Sequence, residues 1–206
     1  MRLEYWFDFS CPYAYLGSTQ IEPLAERAGA ELVWRPMLLG GVFRAVQMAQ
    51  FPASQMPPSK ARHNGLDMMR WADWFDVPLR MPAGHPQRTV RALRGLLALP
   101  EHRWPALIHE LYQVYWVRGG DFTARDTLAA ALSAVGIEGD LAERALAAND
   151  DPDIKRDLRH RTDEAISRGV FGAPTMFVGD TDDPLMLWGQ DRLHMVERAL
   201  HGWRPH

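Results

Sequence analysis

The chain has 206 residues, 47% of them hydrophobic, which is enough for one large domain or for a domain that carries an insert. The formal net charge is −3 and Lys and Arg form no run, so the charge does not favour a nucleic acid or an anionic membrane as partner. A single cysteine excludes an internal disulfide, and without a secretory signal or a bilayer-spanning apolar run we expect a protein of the reducing cytoplasm.

The first part of the chain predicts a strand, a helix and a second strand. Large apolar residues alternate with mostly polar ones over residues 2–9, which is the period of a β-strand. A helical pattern begins at Pro12, and Gly29 is a natural C-terminal stop for it. Residues 31–35 predict a short second strand that Pro36 closes.

The middle of the chain predicts only helices. Strand alternation disappears there, and Ala, Leu, Trp and charged residues form successive helical patterns. Proline and glycine residues separate these patterns. The predicted helices cover residues 60–75, 88–99, 104–119, 124–136 and 140–148.

The last quarter returns to mixed structure. Asp151 and Pro152 form an N-cap and first-position pair for a helix that runs to about Arg168. Two strands and a final amphipathic helix follow, over residues 173–180, 185–189 and 190–202.

The order of these elements predicts an α/β protein with a thioredoxin-like fold. An all-helical domain is inserted between a β-α-β half and an α-β-β-α half. We expect residues 1–36 and 151–206 to form the discontinuous thioredoxin-like domain. Residues 37–150 form the helical insert domain in this interpretation.

The only cysteine lies between the first predicted strand and the first predicted helix. Pro12 at the first helical position makes Cys11 the N-cap, so its sulfur faces unpaired N–H groups and the positive end of the helix dipole. Such a position lowers a thiol pKa and favours the thiolate, whereas the alternative is a small buried apolar residue. A dithiol oxidase would carry a second cysteine at Ala14, so Cys11 acts only with an external thiol or as a polar stabiliser of one.

A proline follows a glycine-containing turn just before the third predicted strand. Pro174 cannot donate a hydrogen bond to a neighbouring strand, and the backbone of Ala173 is left to pair with an extended ligand. The Ala173–Pro174 bond is therefore a candidate cis peptide, with an ordinary trans loop as the alternative.

A polar cluster begins the last predicted helix. In one interpretation Gln190 or Asp191 is the N-cap of that helix. In the other interpretation the same groups bind the ammonium and carboxylate of a ligand, and Arg192 holds a carboxylate bidentately.

Other familiar sites are not predicted. The eight histidines are scattered without metal-ligand spacing, so we expect no metal site. We find no dinucleotide fingerprint, no phosphate-binding loop and no serine-hydrolase elbow. We expect the tryptophans to lie mostly in the core or in interfaces, with some lining an aromatic pocket between the two domains.

Three segments of the chain resemble the 2-hydroxychromene-2-carboxylate isomerases, which are relatives of kappa-class glutathione transferases and of bacterial disulfide oxidases. The first is DFSCPYAYLG at residues 8–17, and the second is KARHNGLDMMRWA at residues 60–72. The third runs from GVFGAPTMFVGD at residues 169–180 to LWGQDRL at residues 187–193. The resemblance covers nearly the whole chain. It implies glutathione as cofactor, a small aromatic molecule as substrate and a homodimer.

The resemblance also implies roles for individual residues. Cys11 occupies the position where the family usually has a serine whose hydroxyl steadies the glutathione thiolate, so it is the implied catalytic residue. The backbone at Ala173 and Pro174 is expected to pair with the cysteine of glutathione. The remaining cofactor-binding residues are Gln190, Asp191 and Arg192 at the γ-glutamyl end and Lys60 at the glycine end.

The activity implied in this way is glutathione-dependent cis–trans isomerisation of aromatic unsaturated keto acids in the degradation of aromatic compounds. Two alternatives stay open. One is an enzyme in which Cys11 itself reacts, as a kappa-like glutathione transferase or as a monothiol transferase like the disulfide oxidases. The other is a non-catalytic binding module of the same fold.

Overall fold

The computed structural model describes residues 1–205. Within them, four strands form one sheet in the order β2-β1-β3-β4. Strands β1 and β2 are parallel, whereas β3 is antiparallel to both β1 and β4. The strands are β1 Arg2–Phe7, β2 Glu31–Pro36, β3 Thr175–Val178 and β4 Leu185–Trp188.

The helices of the described residues surround this sheet, and six of them lie between β2 and β3 before the long helix that leads back to it. In chain order they are α1 Pro12–Arg27, α2 Leu39–Ala45, α3 Pro58–Trp74, α4 Val90–Leu97, α5 Trp104–Gln113, α6 Arg125–Ala134, α7 Gly139–Ala147, α8 Pro152–Ser167 and α9 Leu193–Leu200. The predicted thioredoxin-like fold with a helical insertion is confirmed. The division of the chain after residues 36 and 150 stays a prediction. No helix among residues 1–205 has the length and apolar character needed to cross a bilayer.

Local signals place the ends of the main helices. Helix α1 begins at Pro12, whose missing N–H is not needed in a first turn, and Cys11 before it is extended. Gly29 lies beyond the end of α1 with a φ of 61°, a conformation that favours glycine. The Asp151 carboxylate accepts hydrogen bonds from two backbone N–H groups of α8, which confirms the predicted cap.

Strand β1 is buried on both faces. The Tyr5 hydroxyl donates a 2.8 Å hydrogen bond to the Ala14 carbonyl of α1 on one face. On the other face the Glu4 carboxylate pairs with Arg168, which follows α8. The alternating pattern of residues 2–9 therefore belongs to a central strand that helices cover on both sides.

The sequence did not predict helix α2, and the last helix has a different start. Helix α2 has seven residues and two glycines, which are poor helix formers, so its local signal is weak. A tertiary contact supports it, because the Asp8 carboxylate accepts a 2.8 Å hydrogen bond from the Leu39 N–H. At the other end of the chain, residues 190–192 form a 3₁₀ turn and α9 begins only at Leu193.

Candidate functional site

Cys11 lies at the N-terminus of α1, as predicted, but its side chain is buried. It is 7% exposed, and its sulfur lies 3.0 Å from the carbonyl oxygen of Ala173, to which the thiol donates. The N–H groups of Tyr13 and Ala14 favour the thiolate, although neither makes a capping hydrogen bond to the sulfur. The thiol is thus joined to the loop before β3.

The predicted fall in the pKa of Cys11 is wrong. Burial and, to a smaller extent, the nearby Asp8 raise the pKa of this thiol to about 12, against the opposing effect of the Ala14 and Tyr13 N–H groups. The helix N-terminus acts in the expected direction, but desolvation outweighs it. Cys11 is therefore a protonated hydrogen-bond donor at neutral pH.

The loop before β3 has the predicted cis peptide between Ala173 and Pro174. Ala173 is 6% exposed and its carbonyl faces the Cys11 thiol. The Pro174 carbonyl accepts a 2.9 Å hydrogen bond from the Gly189 N–H, which fixes the next turn of the site against this loop.

The turn after β4 brings the polar cluster to the same place. Gly189 has a φ of 99°, and a Cβ at this position would lie 2.5 Å from Oδ1 of Asp191, so glycine is required. Gln190 is 5% exposed, and the Arg192 guanidinium pairs with the Asp191 carboxylate. The N-cap interpretation is wrong, because neither Gln190 nor Asp191 makes a side-chain cap for the 3₁₀ turn or for α9.

A cleft of about 190 Å³ joins these parts. Helix α3 forms one wall, and the loop before β3 together with the turn after β4 forms the other. Aromatic and polar side chains share the lining, as is common in binding sites for small molecules. The lining residues are Tyr13, Asn64, Asp67, Trp71, Ala173, Trp188, Gly189, Gln190, Asp191 and Arg192.

Tyr13 connects the two walls of the cleft. Its hydroxyl donates a 2.8 Å hydrogen bond to Oδ1 of Asn64 in α3. Burial, together with the nearby Asp67 and Asp191 carboxylates, raises the pKa of Tyr13 to about 12. The hydroxyl consequently stays protonated at neutral pH. Only its place two residues after Cys11 could have indicated Tyr13 as a site residue from the sequence.

Three of the predicted site residues do not line the cleft. Cys11 and Pro174 lie behind its wall and reach it through Ala173 and Gly189. Lys60 is exposed on the first turn of α3. It stands four residues before Asn64, so it lies on the same face of the helix as the cleft lining, one turn further along.

Asp8 is a site residue that the sequence did not indicate as functional. Its carboxylate is 1% exposed and accepts hydrogen bonds from the Ser10 N–H at 3.0 Å, the Thr89 hydroxyl at 2.7 Å and the Leu39 N–H at 2.8 Å. Burial raises the pKa of Asp8, and these donors oppose the rise. The Asp-x-Ser spacing of a local Asx turn was the available signal.

Other contacts from the helical region hold the same loop. The Trp116 indole N–H donates a 2.9 Å hydrogen bond to the backbone carbonyl of Phe9. The Tyr112 hydroxyl donates a 3.5 Å hydrogen bond to the backbone carbonyl of Asp8. The Cys11 N–H donates to the Asp8 carbonyl at 3.2 Å. The helices between β2 and β3 therefore position the segment that carries the thiol.

With this geometry in place, comparison with known proteins gives the family. A family model described as a DSBA-like thioredoxin domain matches residues 2–201. A 2-hydroxychromene-2-carboxylate isomerase of Pseudomonas sp. strain C18 is 30% identical over 206 residues, which cover 97% of this chain and 90% of that protein. The chain belongs to the 2-hydroxychromene-2-carboxylate isomerase family.

Further relatives agree with this family. A solved structure of a 2-hydroxychromene-2-carboxylate isomerase has a TM-score of 0.83 and 27% identity, covering 98% of this chain and 95% of that one. Glutathione S-transferase kappa 1 of Rattus norvegicus is 26% identical over 211 residues, covering 96% of this chain and 90% of that protein. The chain is an enzyme, as predicted, and isomerase is the class that fits its family.

Proposed function

We propose that the protein is a glutathione-dependent isomerase that acts on 2-hydroxychromene-2-carboxylate or a related aromatic unsaturated keto acid in the degradation of aromatic compounds. The observation that carries the proposal is the contact of the Cys11 thiol with Ala173, at the wall of a cleft that also contains the polar turn 189–192. The name of the relatives suggests the substrate class. A reducing cytoplasm suits the proposal, because glutathione must stay reduced.

The side chains of the cleft fit glutathione. The backbone of Ala173 would pair with its cysteine residue, since Ala173 lines the cleft next to the cis peptide bond. Gln190 and the Asp191–Arg192 pair offer an amide, a carboxylate and a guanidinium for the ammonium and carboxylate of the γ-glutamyl end. Lys60, one turn beyond Asn64 on the same face of α3, would bind the glycine carboxylate.

The buried thiol defines the proposed role of Cys11. Bound glutathione would supply a thiolate that adds reversibly to the conjugated double bond and so permits rotation about it. With a pKa of about 12, Cys11 keeps its proton and donates a hydrogen bond, either to Ala173 or to a neighbouring thiolate. A donor in this position acts as the serine hydroxyl of the family would, and it makes a poor nucleophile.

Glutathione conjugation is the second candidate function. The kappa-class relative has a similar share of identical residues to the isomerases, and a bound thiolate at the same cleft could attack another electrophile. Thiol transfer by Cys11 itself is less well supported, because the thiol is buried and its pKa is raised.

The first experiment titrates reduced glutathione into the wild type and Cys11→Ala by calorimetry and records the intact mass of each protein. We expect both to bind without a covalent adduct, and we expect Gln190→Ala to lose about tenfold in affinity. Gln20→Ala, which removes an amide of α1 outside the cleft lining, is the matched control. A glutathione adduct confined to the wild type would instead make Cys11 the reactive thiol, and no binding to either protein would remove the proposal.

The second experiment separates the two candidate functions. The conversion of 2-hydroxychromene-2-carboxylate to its open-chain isomer is followed by absorbance with and without glutathione. Isomerisation that requires glutathione and survives Cys11→Ser would support the proposal. Conjugation of a model electrophile without isomerisation would favour the transferase.

A further inference from the structure

We propose that the open edge of strand β2 is a docking site for an extended basic peptide of a partner protein, which pairs with β2 as a further strand of the sheet. The inference does not depend on the proposed function. Strand β2 lies at one end of the sheet, whereas β4 and the polar turn that follows it lie at the other end.

Strand β2 has backbone groups without a partner on its outer side. It pairs in parallel with β1, and the order β2-β1-β3-β4 leaves its other side free. The Glu31 N–H donates a hydrogen bond to the Met1 carbonyl, so Glu31 and every second residue after it face β1. Leu32 and Trp34 therefore direct their N–H and C=O groups outward, and these groups have no hydrogen-bond partner within residues 1–205. Such groups are a template for an additional strand.

A groove of about 660 Å³ lies along this edge, between α1 and the start of α5. Its floor is apolar. Leu32 and Pro105 are half-buried there, and Trp104 is 3% exposed. The edge of β2 thus has room beside it for the side chains of an added strand, together with an apolar surface that some of them can contact.

The rim of the groove is acidic. The glutamates that line it are Glu22, Glu26, Glu31 and Glu101. The lining has one arginine, Arg2, but its guanidinium pairs with Glu4. Within residues 1–205 only Glu22 among the rim glutamates has a titratable partner, the His109 ring at 2.8 Å. The excess of carboxylates favours lysine or arginine side chains in the added strand.

The free backbone groups and the acidic rim together define the chemistry of the peptide. Successive side chains of an extended strand point to opposite faces. A segment in which apolar and basic residues alternate can therefore contact the apolar floor with one set and the rim with the other. The backbone bonds require an extended peptide, and the carboxylates select a basic one.

Amide hydrogen exchange with a peptide probe tests the pairing. The probe is a capped heptapeptide of alternating lysine and valine. At saturating peptide we expect exchange at the Leu32 and Trp34 N–H groups to slow at least about tenfold, because each gains a hydrogen bond or loses contact with water. The N–H of Val33 should change little, since it faces β1 already. A peptide with proline in place of valine has fewer N–H groups to offer and should protect neither amide.

Charge reversal at the rim tests the choice of a basic peptide. Glu26→Lys with Glu101→Lys changes two exposed carboxylates of the groove, and we expect the dissociation constant of the lysine–valine peptide to rise about tenfold in calorimetry. Glu138→Lys with Asp163→Lys is the matched control, because it makes the same change of net charge at exposed positions outside the groove lining. The affinity for glutathione should be the same in both double variants.

Three results would overturn the proposal. The first is the absence of peptide binding to the wild type. The second is binding that slows exchange at neither Leu32 nor Trp34, which is what a charge contact with the rim alone would give. The third is equal weakening of the peptide by the rim variant and by the control variant.

Discussion

Strand β1 has a buried carboxylate at each end, and the two have different partners. Glu4, near its start, is 5% exposed, and Asp8, one residue beyond its end, is 1% exposed. The Glu4 carboxylate receives hydrogen bonds from Arg35 at 2.9 Å and Arg168 at 2.6 Å, and from the Trp6 indole at 3.1 Å. Asp8 receives hydrogen bonds from neutral donors alone.

The difference in partners gives the two carboxyl groups opposite pKa shifts. Burial raises the pKa of Glu4, but the hydrogen bonds and charge of Arg35, together with Trp6 and Arg168, outweigh burial and lower it. Burial raises the pKa of Asp8, and its neutral donors only reduce the rise. The Glu4 end thus supports the sheet through ion pairs, whereas the Asp8 end connects the Cys11 loop to Leu39 and Thr89 without a cationic partner.

The largest effect is expected when the charge at Glu4 is removed. Glu4→Gln leaves Arg35 and Arg168 with only the more exposed Glu164 as counter-ion, so the free energy of unfolding should fall by about 3 kcal/mol. Urea unfolding of both proteins measures this. The control Glu197→Gln breaks the exposed pair with Arg27 and should change stability by less than about 0.5 kcal/mol. Equal losses in the two variants would show that the guanidiniums around Glu4 do not depend on its charge.

The same isosteric change at Asp8 should cost less stability and affect the site more. Asp8→Asn places an NH₂ group against either the Leu39 N–H or the donors at Oδ1, so we expect a loss of about 1–3 kcal/mol. Because the Cys11 N–H is bonded to the Asp8 carbonyl, the affinity for glutathione should fall about tenfold. Calorimetry at a temperature where both proteins are folded gives this value. Asp163→Asn, an exposed position of α8, should leave both quantities unchanged, and unaltered affinity in Asp8→Asn would mean that the loop keeps its position without this carboxylate.

Removing one donor from Asp8 should have a smaller effect. Thr89→Val deletes the 2.7 Å hydrogen bond to Oδ1 but keeps the volume of the side chain, and we expect a loss of about 0.5–1.5 kcal/mol in urea unfolding. Thr89 makes no side-chain cap for α4, so helix capping does not contribute. Thr127→Val in α6 is the control, with little expected change. A loss as large as that of Asp8→Asn would mean that Thr89 alone accounts for the contacts of this carboxylate.

Features that neighbouring residues determine could be predicted from the sequence. The period of residues 2–9, the Pro12 start and the Asp151 cap each depend on a few adjacent positions, and the structure has all three. The position of Cys11 at a helix N-terminus is such a feature as well. The order of the strands and helices then restricts the fold to few topologies, which is why the thioredoxin-like arrangement could be predicted.

Features that depend on distant contacts could not be predicted in this way. The Cys11 thiol meets Ala173 across 162 positions of sequence, so its burial and raised pKa left no local trace. Thr89 reaches Asp8 across 81 positions, and Asn64 reaches Tyr13 across 51. The family resemblance pointed to Lys60 on α3, but Asn64 and Asp67 were missed as lining residues, since polar residues like these look like any solvated helix face.

The smallest effect, and the one that tests the comparison most directly, is the pH dependence of the two variants. The folded-state pKa of Glu4 is lowered, so its ionisation contributes stability above the usual value of 4.5 that is lost as the pH falls through the folded value. The folded-state pKa of Asp8 is raised, so its contribution is full below the usual value of 3.8 and is lost as the pH rises through the folded value.

As the pH falls through this range, the stability gap between the wild type and Glu4→Gln should therefore shrink, while the gap to Asp8→Asn should widen. Both changes should be smaller than the losses on substitution, because a protonated carboxyl still keeps part of its hydrogen bonds. Urea unfolding of the three proteins from pH 3 to pH 7 gives both gaps, and gaps that move in the same direction would contradict the assignment of opposite shifts to the two ends of β1.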